Sequence, residues 1–309
     1  MIISISRRTD IPAFFSEWFY NRIEDGYFMV RNPMNIHQVS KVTVTPQNAE
    51  CLVIWTKNPS FSFIENLPKL DEKGFNYYFQ FTITSYAQDI EKSVSRKTEI
   101  IEKFQKLSNQ IGKEKVIWRY DPIILNKKYN FDYHIKYFDY IAEKLSAYTE
   151  KVIISFVDCY SKIKTRLQEN EITDLTQEQM RKLGIALKQI AEKHNLKIES
   201  CSETIDFDDI GIPHGHCIDG ELINRICQRN FIFKKDKTQR KECGCVTSVD
   251  IGSYNTCRHN CAYCYATWNG IIQNSIDNSS PLLGSVLSNE DKVTERKNPV
   301  LKEYNPELF

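Results

Sequence analysis

The sequence predicts an α/β fold on a parallel sheet, most simply a (β/α) barrel, TIM-like or partial. Three observations carry that expectation. Short apolar runs alternate with amphipathic helical segments through the first two-thirds of the chain. The runs are rich in β-branched and aromatic residues and nearly continuous in hydrophobicity, as strands covered on both faces are. Their C-terminal ends are polar, and barrels carry their sites at that end.

Taken in order, Ile2–Ser6 reads as the first strand and Ala13–Asp25 as an amphipathic helix. The stretch Tyr27–Pro46 interrupts the alternation, and Tyr27–Arg31 and Lys41–Thr45 fit a short strand pair. Further strands fall at Cys51–Thr56, Tyr77–Thr84, Val116–Tyr120, Val152–Val157 and Leu196–Ser200. Helical periodicity marks Ser95–Ile111, where Ile100, Ile101, Phe104 and Leu107 share one face, and also Tyr133–Ala147 and Gln177–His194. After residue 205 the pattern changes. Ile210–Asp219 reads as a loop, Gly220–Cys227 as a short helix and Phe231–Glu242 as a solvated basic surface. Cys245–Ile251 fits a strand and Tyr265–Ile272 a helix, and the polar residues beyond fit an extended tail. The expected organisation is a barrel body over 1–204, a cysteine-rich iron–sulfur segment over 205–272 packed on the barrel, and an extension over 273–309.

Composition narrows the function classes. Hydrophobic residues make up 41% and charged residues 26% of the 309, the balance of a soluble globular protein. A net charge of +1 removes bulk electrostatics as a reason to bind nucleic acid. No apolar run is long enough to cross a bilayer, and the N-terminus lacks the apolar core of a signal peptide. A cytoplasmic location is expected, where ten cysteines serve as metal ligands rather than disulfides. Cys51 and Cys159 lie beside apolar runs and read as core or pocket residues; Cys227 reads as buried on its helix.

Six strand ends carry polar clusters that a barrel would gather at one mouth. They hold Arg7 and Arg8, Lys57, Gln80 with Thr82 and Thr84, Arg119, Ser155 with Asp158, and Glu199. Arg7, Arg8, Lys57, Arg119 and Glu199 are the candidate contacts to substrate or cofactor. Paired arginines suit carboxylate or phosphate groups through bidentate bonds.

The most specific chemistry lies at Cys257, Cys261 and Cys264, spaced Cys-x-x-x-Cys-x-x-Cys with Tyr263 before the last. Three close thiolates can face one metal centre. In a 4Fe–4S cubane they leave one iron without a protein ligand, open to a small molecule. Zinc with His259 as a fourth ligand is the competing reading, and unliganded thiols are another. Tyr263 and Asp250 are candidate cofactor contacts beside the loop. A second centre is a further candidate at Cys201, Cys217, Cys243 and Cys245, either an auxiliary 4Fe–4S cluster or zinc, with His214 and His216 as alternative ligands.

The cysteine loop resembles that of radical S-adenosylmethionine (SAM) enzymes, in which strand, loop and helix open the barrel. Here the unit comes last, which implies a permuted barrel with Cys245–Ile272 beside Ile2–Ser6. The whole chain resembles an uncharacterised bacterial domain-of-unknown-function family with a C-terminal cysteine cluster of this kind. Ser-Arg-Arg-Thr-Asp-Ile-Pro (6–12), Trp-Thr-Lys-Asn-Pro (55–59) and Trp-Arg-Tyr-Asp-Pro (118–122) carry the resemblance in the body. Cys-Gly-Cys (243–245), Asp-Ile-Gly-Ser-Tyr-Asn-Thr-Cys (250–257) and Cys-Ala-Tyr-Cys-Tyr-Ala (261–266) carry it towards the C-terminus. It implies a barrel and a cluster without supplying a reaction. The chain has no Gly-Gly-Glu tripeptide, the segment that binds the SAM amino group in ordinary members.

The leading expectation is an enzyme that cleaves SAM reductively and abstracts hydrogen from a small-molecule or nucleic-acid substrate, with DNA repair as one setting. It would need an electron donor such as flavodoxin or ferredoxin. An iron–sulfur redox or sensor protein without SAM cleavage is the first alternative. A zinc-stabilised barrel enzyme acting on an anionic substrate is the second. The ending Leu308-Phe309 loosely resembles peptides that dock on DNA sliding clamps.

Overall fold

The computed structural model describes residues 1–268, 277–297 and 301–304. Its strands in chain order are β1 (Ile2–Ile5), β2 (Tyr27–Asn32), β3 (Asn35–Thr43), β4 (Cys51–Thr56), β5 (Tyr77–Thr82) and β6 (Val116–Ile123). They continue with β7 (Lys151–Phe156), β8 (Lys197–Ser200), β9 (Phe231–Ile232), β10 (Ser248–Asp250), β11 (Lys292–Glu295) and β12 (Lys302–Glu303). Seven form one sheet in the order β10-β1-β4-β5-β6-β7-β8, with every neighbouring pair parallel. This is a mixed α/β fold compatible with a barrel-like arrangement, although no ladder joins β8 to β10 among the described residues.

The order explains why the strands are apolar throughout. Ile3, Ile5, Leu52, Ile54, Phe79, Phe81, Trp118 and Ile154 point to one face, where they pack with the helices. Ile2, Val53, Tyr78, Ile117 and Ile153 point to the other. There they meet Cys217, Ile218, Leu222, Ile223, Cys243, Cys245 and Val246. The cysteine-rich segment therefore covers the second face of the sheet. Truncating a large core side chain on either face to Ala costs about 2–5 kcal/mol.

The late strand sits beside the first one. Ser248, Val249 and Asp250 register with Ile2, Ile3 and Ser4. The arrangement expected from permutation is present, and it brings the residues after β10 to the same end of the sheet as Arg7 and Arg8.

The helices follow the sequence with informative departures. Lys97–Ile111, Phe131–Leu145 and Gln177–Lys193 match the periodic segments, the last closed by a Thr176/Gln179 capping box. The first expected helix is two pieces, Ile11–Phe14 and Ser16–Asp25, because Phe15 leaves the helical region at φ −135°. The helix expected at Tyr265–Ile272 is not helical over 265–268. One backbone bond and one side-chain bond tie that stretch to Asn255 instead: the Asn255 N–H donates to Ala266 O and the Trp268 N–H to Asn255 Oδ1. Residues 269–272 lie outside the described residues, as do Leu308 and Phe309. The extension is not simply a loose tail. β11 pairs parallel with β3 and β12 antiparallel with β9, which satisfies backbone groups that those strands otherwise leave open.

Candidate functional site

A cavity of about 350 Å³ opens at the C-terminal ends of the sheet strands. All six polar strand ends line it. They contribute Arg7 and Arg8, Lys57, Thr82, Arg119 with Asp121, Ser155 with Asp158, and Cys201 with Glu203. The late segment supplies Cys243, Cys245, Cys257, His259, Cys261, Tyr263 and Cys264 to the same cavity.

The cysteine loop is fastened to residues 84–97. Cys261 forms an antiparallel bridge with Glu91. The Ala262 N–H donates to Ile90 O at 2.8 Å, and the Ser93 N–H donates to His259 O at 3.0 Å. Arg166 Nη2 donates to Cys264 O at 2.6 Å. Glu91 is the buried centre of this attachment. Its carboxylate accepts from Lys57 Nζ at 2.7 Å and Thr84 Oγ1 at 2.6 Å, and also from Lys97 and Tyr263. Burial alone would raise the Glu91 carboxyl, but the charges of Lys57 and Lys97 hold it far below the usual carboxylate range.

Asp10 performs the matching task from the first strand end. It caps Ile11–Phe14 through Ala13 N–H, and accepts from Thr56 Oγ1 at 2.8 Å and Lys57 N–H at 2.7 Å. His259 Nε2 lies 2.8 Å from Asp10 Oδ2. Burial opposes ionisation of Asp10, and the His259 contact outweighs it, so the carboxyl stays below its usual range. His259 Nδ1 is buried without a hydrogen-bond partner. A carboxylate behind one imidazole nitrogen with the other left free is the arrangement seen behind metal-bound histidines.

The donor set fits an iron–sulfur cluster. Cys257, Cys261 and Cys264 lie close enough that the charge of each bears on the others. Backbone groups of His259 and Asp10 oppose the rise that burial imposes on the Cys257 thiol. Hydrogen bonds to sulfur of this kind tune clusters. Burial nonetheless pushes the Cys257 thiol up to about 12 and raises Cys261 well above its ordinary value. Thiols held this way become thiolates when a metal replaces the proton. Among the described residues, no three His, Cys, Asp or Glu side chains stand at the spacing of a single-ion site. A cubane needs no such spacing, because it sits between its ligands and holds them farther apart than one ion does.

The cationic wall is built around Trp55. The Arg7 guanidinium lies 6.0 Å from the Trp55 ring and Arg119 lies 5.1 Å from it. Arg119 is buried, donating through Nε to Asp121 Oδ2 at 3.0 Å and through Nη1 to Cys217 Sγ at 2.7 Å. Arg7 and Arg8 share a single carboxylate, Asp250, at 3.9 and 3.8 Å.

Three expected contacts have other duties. Asp250 does not line the cavity. It accepts from Ser4 Oγ, Ser6 Oγ, Arg7 N–H and Gly252 N–H, and so locks β10 to the end of β1. Gly252 is required for that approach, because a Cβ there would stand 2.6 Å from Ser6 Cβ. Glu199 also lies off the cavity, two residues before Cys201. Both its oxygens accept from Lys151 Nζ at 2.9 and 3.0 Å. Lys57 does line the cavity, but its ammonium is held by Glu91.

The other four cysteines also meet. Cys201 Sγ lies 3.0 Å from Cys217 Sγ, Cys217 neighbours Cys245, and Cys245 neighbours Cys243. His216 is exposed, its ring against Gly244 between Cys243 and Cys245. Cys51 is buried against Cys227, which is itself half-buried on its helix.

Sequence reasoning assigned no role to Asp10, Glu91 or Glu203. Asp10 carried a signal, since Thr-Asp-Ile-Pro is a helix start. Glu91 carried none, sitting in an ordinary polar stretch. Glu203 lines the cavity, accepts from Phe156 N–H at 2.8 Å and is pushed up to about 8 by burial.

No curated protein matches the chain. Among solved structures, it is similar to a variant carboxyl transferase domain of Rhizobium etli pyruvate carboxylase with pyruvate, at 14% identity and a TM-score of 0.22. That match covers 74% of this chain and 46% of the other, so the chain spans less than half the length of its counterpart. Residues 2–266 match the family described as domain of unknown function DUF1848, and the chain therefore belongs to the DUF1848 family.

Proposed function

We propose that this chain is a radical SAM-type enzyme. Cys257, Cys261 and Cys264 would hold a 4Fe–4S cluster with one iron left open for SAM. When bound and reduced, that pair supplies a carbon radical able to abstract hydrogen. The observation that carries the reading is the meeting of the Cys-x-x-x-Cys-x-x-Cys loop with six polar strand ends in one cavity. The chain's own residues supply position and charge. Glu91 and Asp10 hold the loop, while Arg7 and Arg8, which share the one carboxylate of Asp250, leave positive charge on the wall. That charge suits a substrate bearing a carboxylate or phosphate. The test is anaerobic incubation of the reconstituted protein with SAM and dithionite. Release of 5′-deoxyadenosine, absent in Cys261→Ala, is expected; intact SAM beside a fully loaded cluster would sink the proposal.

A second reading has one observation in its favour. The free Nδ1 of His259, backed by Asp10, makes His259 a fourth ligand candidate for this loop. The centre would then be closed, in a redox or sensor protein or a zinc-stabilised enzyme. A His259→Ala variant that gains a SAM response absent from the wild type would support it.

A further inference from the structure

We propose that Cys201, Cys217, Cys243 and Cys245 hold a second iron–sulfur cluster, a four-thiolate cubane on the wall of the same cavity. The inference goes beyond the SAM-cleaving centre and rests on different residues. These cysteines come from three places in the chain that only the fold unites. Cys201 follows β8, and its N–H donates to Ile154 O at 2.9 Å. Cys217 ends the loop that crosses back over β8, where the Gly215 N–H donates to Ser200 O. Cys243 and Cys245 precede β10. The Val246 N–H donates to Ile218 O at 3.0 Å, and the Asp236 N–H donates to Cys245 O at 2.9 Å. Backbone bonds thus hold three separate segments so that their sulfurs adjoin as a string.

Polar donors reach these sulfurs although the residues also pack against the apolar second face of the sheet. All four residues line the cavity, and none is in a disulfide. The Ile218 N–H points at Cys245 Sγ at 3.4 Å, and Arg119 Nη1 points at Cys217 Sγ at 2.7 Å. A buried guanidinium aimed at a neutral thiol gains little, whereas aimed at a cluster-bound thiolate it gains a charge-assisted contact. N–H donors around the sulfurs are the means by which proteins set cluster potentials. Assembly replaces the four thiol protons with iron and releases them to solvent. With every iron ligated by protein, this centre has no vacancy for substrate, and its chemistry is the gain and loss of an electron.

The test is iron, acid-labile sulfide and zinc per chain in the whole protein, reconstituted anaerobically with iron and sulfide. The Cys257→Ala/Cys261→Ala/Cys264→Ala variant should keep roughly four irons of the wild type's roughly eight. Adding Cys217→Ser to that variant should remove them. A triple variant without iron would overturn the second cluster while leaving the first intact, provided that the wild type holds about four irons. One zinc in place of that iron would also overturn it. Variants that fail to fold are bypassed by the wild type alone. Its reduced paramagnetic resonance spectrum should contain a component that SAM leaves unchanged beside one that SAM shifts. A single component accounting for all the iron would refute the inference.

Discussion

The two sets of cysteines line one cavity but are built in opposite ways. Cys257, Cys261 and Cys264 come from one eight-residue loop, and their placement depends on buried carboxylates outside it, Asp10 and Glu91. Cys201, Cys217, Cys243 and Cys245 come from three segments, and backbone hydrogen bonds around β8 and β10 place them. A compact motif announces itself in sequence yet needs charged anchors to hold it. A dispersed set has no regular spacing to mark it and inherits its position from the sheet.

The sharpest way to break that contrast is to remove one ligand from the compact loop. Cys261→Ala should abolish SAM cleavage entirely while sparing the iron assigned to the dispersed set, as followed by product chromatography and iron content. Substitution of the loop's main anchor comes next. Glu91→Gln leaves Lys57 and Lys97 buried without a counter-charge, which costs about 3–5 kcal/mol in urea denaturation.

The same residue makes an acid prediction. Lys57 and Lys97 depress the Glu91 carboxyl below its unfolded value, so the associated stability is fully present above about pH 4.3 and disappears as pH falls through the folded value. Wild-type stability should fall with acid below that point, and Glu91→Gln should show a shallower fall. Equal slopes would mean that the anchor does not carry the loop.

A smaller effect tests how the sheet places Arg7 and Arg8. Gly252→Ala forces a Cβ against Ser6 and should cost about 1–3 kcal/mol. It should also weaken anion binding while leaving iron content unchanged. The smallest effect is expected at Glu199→Gln. That carboxylate is engaged by Lys151 outside the cavity, so neither cluster content nor SAM cleavage should change. A loss of cleavage there would return Glu199 to the cavity wall.

Much of this arrangement was legible because parallel strands announce themselves. Cys51–Thr56 was readable to the residue, since both of its faces are buried. The adjacency of the late and first strands was readable from the position of the cysteine loop. Glu199 misled for a simple reason. Strand ends are polar in sequence whether the side chain reaches the mouth or, as here, stops two residues short of it. Asp250 misled because a carboxylate beside a cysteine loop looks like a cofactor contact, whereas it closes a seam between strands. Glu91 was invisible, because its burial follows from tertiary placement and no periodicity marks it. The dispersed cysteines could be counted in sequence, but only the fold shows which of them meet.

The most direct measurement is electron paramagnetic resonance of the anaerobically reconstituted, reduced protein with and without SAM. The expected result is a cluster signal that shifts when SAM is added and that disappears in Cys261→Ala. A signal indifferent to SAM at full iron loading would contradict an open iron at the Cys257–Cys264 loop.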